Sequence, residues 1–276
     1  MFLYSKGMPE LPEVEITTRK LQPLTGKTIQ SFWNDRAVAA KNIRGLKVLR
    51  IFRRGKAIVF ELSGARILAF HQRMSGRLLI VDESYDRMIR QQYHIHAKIN
   101  FNDKSRLLFQ DPRKFGVIWY GSPEEVYSDK YFSTLGPDAL GIRKADFILR
   151  FKNRRGGIKA LLLNQKCLAG IGNVVADETL WQAKIHPKTQ CLTLNVKQIG
   201  ALHNALQVVL RRSIEVGGTT LRDWGHPDGQ KGRFQNHLCI YGCVGKPCKR
   251  CGQKIQRIIC AGRGTSLCEK CQSKVV

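Results

Sequence analysis

The 276 residues predict an α+β chain: an N-terminal β-sandwich with an N-terminal helix, a helical middle region, and a small C-terminal β-ribbon. Three observations carry that expectation. Short apolar runs parted by Gly, Ser, Asn and Asp fill the first half, a helical texture takes over near residue 122, and two Cys-x2-Cys pairs close the chain. Regularly spaced short strands with polar turns argue for a sandwich or barrel, because each strand buries one face against another sheet.

In chain order, residues 1–7 are expected to be a misassigned extension ahead of Met8. Residues 10–21 have a helical period, with Leu11, Val14, Ile16 and Leu21 at near three- and four-residue spacing and Pro at the opening. Strands are expected at 47–52, 57–62, 66–70, 77–81, 97–101 and 107–109, with 115–120 closing the series. Ser122-Pro123-Glu124-Glu125 starts the helical region, since Ser caps, Pro suits the first turn and Glu reaches back to the cap. Residues 135–141 read as a linker. A long helix is expected over 196–215, ended by Gly217-Gly218-Thr219-Thr220 and followed by a polar loop to Arg233. The predicted units are 8–134, 135–235 and 236–276.

Cys248, Cys251, Cys268 and Cys271 form two pairs with sixteen residues between them. Two such knuckles present four thiolates at tetrahedral angles, which is the ligand set of one structural zinc ion. The ribbon is too small for an adequate core, so metal binding supplies its folding free energy. It displays Lys254, Arg257 and Arg263, the last in Gly262-Arg263-Gly264-Thr265, a tip where backbone can approach a phosphate. A solvated charge run reads the same way.

Lys and Arg number 47 against 21 Asp and Glu, a net charge of +26. A field of that size favours a polyanion, because each neutralised phosphate releases condensed counterions; nucleic acid is the expected partner. No apolar run approaches the ~20 residues of a spanning helix, and the start lacks the apolar core of an export signal. Nine cysteines are an odd count with four in metal spacing, which argues against a disulfide framework. Cys167, Cys191, Cys239, Cys243 and Cys260 are then expected as buried thiols in a reducing cytoplasm.

Met8-Pro9-Glu10-Leu11-Pro12-Glu13 carries the candidate chemistry. If translation begins at Met8 and that Met is trimmed, the Pro9 nitrogen is a free secondary amine. Such an amine condenses with a sugar aldehyde carbon to give an iminium, an electron sink for elimination. An N-terminal amine titrates ordinarily at about 7.7–8.0, so a neutral fraction exists near pH 7. The same string is also an ordinary helix opening, since Pro and Glu both suit a first turn.

Met8-Pro9-Glu10-Leu11-Pro12-Glu13-Val14-Glu15, a β-rich region, Gly170-Ile171-Gly172-Asn173 among helices, and a four-Cys terminal ribbon resemble bacterial formamidopyrimidine-DNA glycosylase. The resemblance spans essentially everything from Met8 onward. It implies a sandwich, a helix–two-turn–helix domain and a zinc ribbon acting as a monomer on nucleoid DNA in the bacterial cytoplasm. It implies excision of 8-oxoguanine and formamidopyrimidines, then nicking of the abasic strand of double-stranded DNA. Pro9 would be the nucleophile at C1′, Glu10 the neighbouring acid, Lys56 the proton donor in β-elimination, and Arg263 the phosphate contact for the δ step.

A target base inside a duplex must be flipped out and its void filled. Met74 in His71-Gln72-Arg73-Met74-Ser75-Gly76, with Arg113 and Phe115 in Asp111-Pro112-Arg113-Lys114-Phe115-Gly116, match the family's void-filling residues. By composition alone Met74 and Phe115 suit a core. His94 matches a DNA-contacting histidine, and Arg155 and Lys159 match phosphate and lesion contacts. Asn173, after Gly172, is expected to meet phosphate at a helix start. Glu178 is expected either to support the amino end or to be a plain helix-surface carboxylate. Lys114 replaces a second arginine, losing the planar fork, and Val175 stands where an aromatic residue is usual. Leu11 at the third position favours the purine enzyme over its oxidised-pyrimidine sister. A zinc-ribbon binder of damaged DNA without catalysis is the reading from another class.

Overall fold

Helix α1 (Leu11–Lys20) leads into eight strands: β1 (Ile29–Asn34), β2 (Val48–Arg54), β3 (Ala57–Leu62), β4 (Arg66–His71), β5 (Arg77–Val81), β6 (Ile95–Phe101), β7 (Arg106–Gln110) and β8 (Val117–Gly121). The structure is a computed structural model describing residues 8–36, 38, 40, 42–82, 94–220 and 224–273; the expected extension 1–7 lies outside them. The strands make two four-stranded sheets, ordered β1-β6-β7-β5 and β2-β3-β4-β8, with antiparallel neighbours throughout. Ile58, Phe60, Phe70, Phe101 and Phe109 fill the space between them. Phe60 meets Phe70 edge-on at 5.9 Å and Phe70 meets Phe109 at 5.5 Å, a spacing that adds aromatic attraction to area burial.

The helical part follows: α2 (Pro123–Ser128), α3 (Lys130–Ser133), α4 (Lys144–Phe151), α5 (Ile158–Leu163), α6 (Asn173–Gln182) and α7 (Val196–Glu215). The expected helix start at Ser122 is a reciprocal cap: Glu125 N–H donates to Ser122 Oγ, and Ser122 N–H donates to the Glu125 carboxylate. Asn195 and Gln198 repeat the device ahead of α7. Residues Leu161, Leu180, Leu202, Leu206 and Leu210 make a second core. The ribbon, β9 (Gln256–Cys260) paired with β10 (Arg263–Leu267), packs Ile240 and Ile255 against Trp181.

Helix α1 belongs to both bodies. Its Leu11 is buried in the helical core while Val14 is buried in the sandwich core. Each such burial is worth about 1.5–3 kcal/mol, so α1 couples the two halves through neighbouring side chains one turn apart. Arg53 at the end of β2 reinforces the joint, pairing with Glu15 of α1 and with Asp138 in the linker.

Three expectations need correction. Strand β1 is not marked in the sequence, because it is an edge strand with Trp33 half exposed and no clean alternation. The strand expected from 115 begins only at Val117; Phe115 and Gly116 belong to the loop before it. Cys167, Cys191 and Cys260 are buried, but Cys239 and Cys243 are only half-buried beside the ribbon. Among the described residues no helix is long and apolar enough to cross a membrane.

Candidate active site and nucleic-acid interface

Pro9 and Glu10 are buried where α1 meets the start of α6. The Glu10 carboxylate accepts N–H bonds from Gly172 at 3.0 Å, Val174 at 2.8 Å and Val175 at 3.1 Å. Those are the orphan donors of a helix N-terminus, where an anion is favoured. Leu11 N–H donates to Gly170 O at 3.0 Å, so the amino segment is clamped at two points. The glycines permit this closeness: a Cβ on Gly172 would lie 2.3 Å from Glu10 and one on Gly170 would lie 2.6 Å from Leu11. At this helix start, where Asn173 is expected to meet phosphate, three N–H groups point inward. They are taken by an internal carboxylate, and Asn173 Nδ2 donates to Gly264 O of the ribbon at 3.0 Å, leaving Oδ1 without a partner.

Lys56 sits in the two-residue turn between β2 and β3, with Gly55 at φ +60° as such hairpins require. Its side chain is buried, its backbone N–H donates to Tyr131 Oη at 2.8 Å, and its ammonium faces the charges of Glu10, Arg263 and Glu13. Burial pushes the Lys56 amine below its ordinary value; Arg263 adds to that shift and the two carboxylates oppose it. A buried amine with a lowered pKa exchanges protons more readily near neutrality. Arg263 opens β10 after the tight turn Ala261–Gly262, both with positive φ, and is exposed. Glu10, Lys56 and Arg263 thus share one electrostatic neighbourhood, assembled from α1, a sandwich hairpin and the ribbon.

Sequence reasoning missed Glu13. It is buried, accepts Glu10 N–H at 2.9 Å and Thr219 N–H at 2.7 Å, and joins α1 to the loop after α7. Burial, with Glu10 adding, pushes its carboxyl up to about 7. Its three-residue spacing from Glu10 at a helix start was the available signal. His71, also missed, is pushed by burial down to about 3, so its neutral Nδ1 accepts Arg73 N–H at 3.0 Å.

Met74, Arg113 and Phe115 lie on two neighbouring loops at the sandwich rim. Phe115 is 48% exposed, which a core residue would not be. The Arg113 guanidinium stacks 4.5 Å from the Phe115 ring centre, and its buried Nη1 has no partner. His94 is exposed at φ +70° and its carbonyl accepts Asp111 N–H at 2.8 Å. Arg155 is exposed in the loop before α5.

Lys159 is a correction. Its side chain is fully buried, ion-paired to Asp177 and donating to Thr265 Oγ1 at 2.7 Å, so it braces the ribbon and cannot meet phosphate in this form. Asn173, Asp177 and Trp181 recur every four residues and present one stripe of α6 to the ribbon. Asp177 accepts Ser266 N–H at 3.1 Å, and Trp181 Nε1 donates to Cys248 Sγ at 3.5 Å. Glu178 neither supports the amino end nor lies on the surface. It is buried and accepts N–H bonds from Cys239, Ile240 and Tyr241 at 2.8–3.1 Å. Val175 is buried in the helical core, and Lys114 is exposed and pairs with Asp35 at 3.2 Å.

The four ribbon thiols lie within 4.8 Å of one another. Sulfurs around a tetrahedral zinc ion are about 3.8 Å apart, and Cys248–Cys271 at 3.9 Å and Cys251–Cys268 at 3.4 Å bracket that value. The set fits one structural zinc ion, with Trp181 and Arg250 N–H groups directed at Cys248 Sγ.

Comparison with known proteins agrees with this geometry. The family model "Formamidopyrimidine-DNA glycosylase N-terminal domain" matches residues 8–118, "Formamidopyrimidine-DNA glycosylase H2TH domain" matches 135–224, and "Zinc finger found in FPG and IleRS" matches 245–274. A formamidopyrimidine-DNA glycosylase of Chloroflexus aggregans is 38% identical over 277 residues, covering 96% of this chain and 98% of the relative. The Lactococcus lactis enzyme with abasic-site DNA aligns at TM-score 0.85 and 33% identity, covering 96% of this chain and 100% of that one. The wild-type Lactococcus lactis enzyme with N7-benzyl-Fapy-dG DNA aligns at TM-score 0.85 and 34% identity over the same shares. The chain belongs to the formamidopyrimidine-DNA glycosylase family and is a DNA glycosylase with abasic-site lyase activity.

Proposed function

We propose that this enzyme flips oxidised purines, 8-oxoguanine and formamidopyrimidines, out of double-stranded DNA and excises them through a Schiff base on Pro9. The observation that carries the reading is the clamp on Glu10: three helix N–H bonds fix residue 10, and with it Pro9, beside buried Lys56. The family match that begins at residue 8 supports an active form starting at Pro9. The relatives bound to abasic-site and benzylated Fapy-dG DNA support the substrate class.

In this reading the freed Pro9 nitrogen attacks C1′ and the C1′–base bond breaks with the base leaving protonated; the C1′–O4′ bond then breaks, O4′ takes up the proton released by the Pro9 nitrogen, and an open-chain iminium remains. The iminium acidifies the C2′ proton; its loss expels the 3′ phosphate, and a second elimination expels the 5′ phosphate. Lys56 moves a proton in the first elimination, suited by its lowered pKa, and exposed Arg263 holds phosphate through the second. Met74, Arg113 and Phe115 fill the void, Arg113 donating to the estranged cytosine's acceptor edge through its unpartnered nitrogen. His94 and Arg155 contact the backbone. The enzyme works as a monomer on chromosomal DNA in the bacterial cytoplasm.

Borohydride reduction on abasic and 8-oxoguanine duplexes, followed by peptide mass mapping, tests this directly. The adduct is expected on Pro9 as the first residue, with an oxidised-pyrimidine duplex trapped more slowly. A protein that keeps Met8 attached and still cleaves at full rate ends the proposal.

A further inference from the structure

The wedge residues sit on two separate loops, yet one buried side chain holds both. Asp111 is 0% exposed. Its Oδ1 accepts Ser75 Oγ–H at 2.5 Å from the Met74 loop and Arg113 N–H at 3.4 Å. Its Oδ2 accepts Gly116 N–H at 2.6 Å from the Phe115 loop and Arg36 Nη2–H at 3.1 Å. The Asp111 backbone ties in the rest: its N–H donates to His94 O, its carbonyl accepts Lys114 N–H at 3.0 Å, and His96 Nε2 lies 3.0 Å from that carbonyl.

The loops need such a clasp. Arg73, Lys114 and His94 have φ of +51°, +55° and +70°, a region L side chains avoid unless the surroundings enforce it. Both loops also rest on one ring: a Cβ on Gly76 would lie 2.9 Å from Phe109, and one on Gly116 would lie 2.4 Å from it.

We propose that the Ser75–Asp111 hydrogen bond is a latch that makes Met74 and the Arg113–Phe115 pair enter the duplex as one rigid wedge, Asp111 and Ser75 being positioning residues. This rests on the void-filling reading of Met74, Arg113 and Phe115. The physical reason is that a buried carboxylate bond is strong and directional, so displacing one loop alone breaks a charge-assisted bond with no water to replace it. Preorganised loops lose less entropy on insertion than two independent ones.

Ser75→Ala removes the link between loops and leaves the other Asp111 contacts in place. Two substrates separate positioning from folding: an 8-oxoguanine duplex, which needs extrusion, and an abasic single strand, which does not. Excision from the duplex is expected to fall about tenfold, while borohydride trapping on the single strand stays at the wild-type rate. In the unaltered background the combined effect of Met74→Ala and Phe115→Ala should fall short of the product of the single effects; in the Ser75→Ala background the two effects should multiply. Equal loss on both substrates, or full duplex activity with coupling intact, overturns the latch. If Met74→Ala and Phe115→Ala themselves excise at the wild-type duplex rate, the wedge reading falls and takes the latch with it. If they are slow while Ser75→Ala is not, only the latch falls.

Discussion

Glu13 shows how one residue can record the tension of the site. Its carboxyl is buried beside Glu10, and its proton affinity rises to about 7 in the folded protein. Unfolded, it titrates near the ordinary carboxyl value of 4.5. Between those two values the native state binds more protons than the unfolded state, so raising the pH works against folding. The stabilising contribution is complete below about 4.5 and gone above about 7. Glu13→Gln has no proton to lose, so its unfolding free energy should gain on the wild type by roughly 3 kcal/mol across that window, apart from a constant offset for the changed bonding. Parallel urea-unfolding free energies from pH 4.5 to 7 would remove this account of Glu13. The same residue fixes the limit of legibility. Glu10, Lys56 and Arg263 could be found as motif members, whereas the contact of Glu13 with Thr219 joins positions that only the fold brings together.

At the scale of elements, legibility followed local signals. Helix α7 was readable to the residue because Asn195 caps it and Gly217-Gly218 ends it. Strand β1 was not, since an edge strand need not alternate. Lys159 of α5 was misread for a different reason: it was matched to a phosphate or lesion contact, and a lysine in sequence carries no mark of being buried. It is matched by Asp177, and the two together hold Thr265 and Ser266 of β10. Removing one charge from a buried pair leaves the other uncompensated. Lys159→Met is expected to destabilise the protein by about 3–5 kcal/mol, and Lys159→Met with Asp177→Leu to recover most of it. The salt dependence of duplex binding should keep its slope in the double variant, because no phosphate contact is lost. A slope reduced by about one would restore the phosphate role and refute the bracing role.

Among the described residues the sandwich, the helical region and the ribbon each have a core of their own, and these cores differ in what sustains them. The sandwich and helical cores are built from many fully buried Leu, Ile, Val and Phe side chains. The ribbon has Ile240 and Ile255 against Trp181, with cysteines making up the rest of its cluster. So small a cluster does not offset the chain entropy of its residues without metal. Arg263 and the Gly264, Thr265 and Ser266 contacts hang on that ribbon, whereas Glu10 and Lys56 are held by the other two bodies. Zinc removal should therefore divide the site rather than dissolve the fold. Stripping the ion with a chelator at neutral pH is expected to leave the main thermal transition cooperative while protease cuts appear between residues 245 and 274. Duplex binding and strand cleavage should be lost together, since Arg263 and part of the +26 charge no longer face the DNA, and adding zinc back should restore both. A metal-free protein with a protease-resistant ribbon and undiminished cleavage would show that the thiol cluster neither folds the ribbon nor aims Arg263.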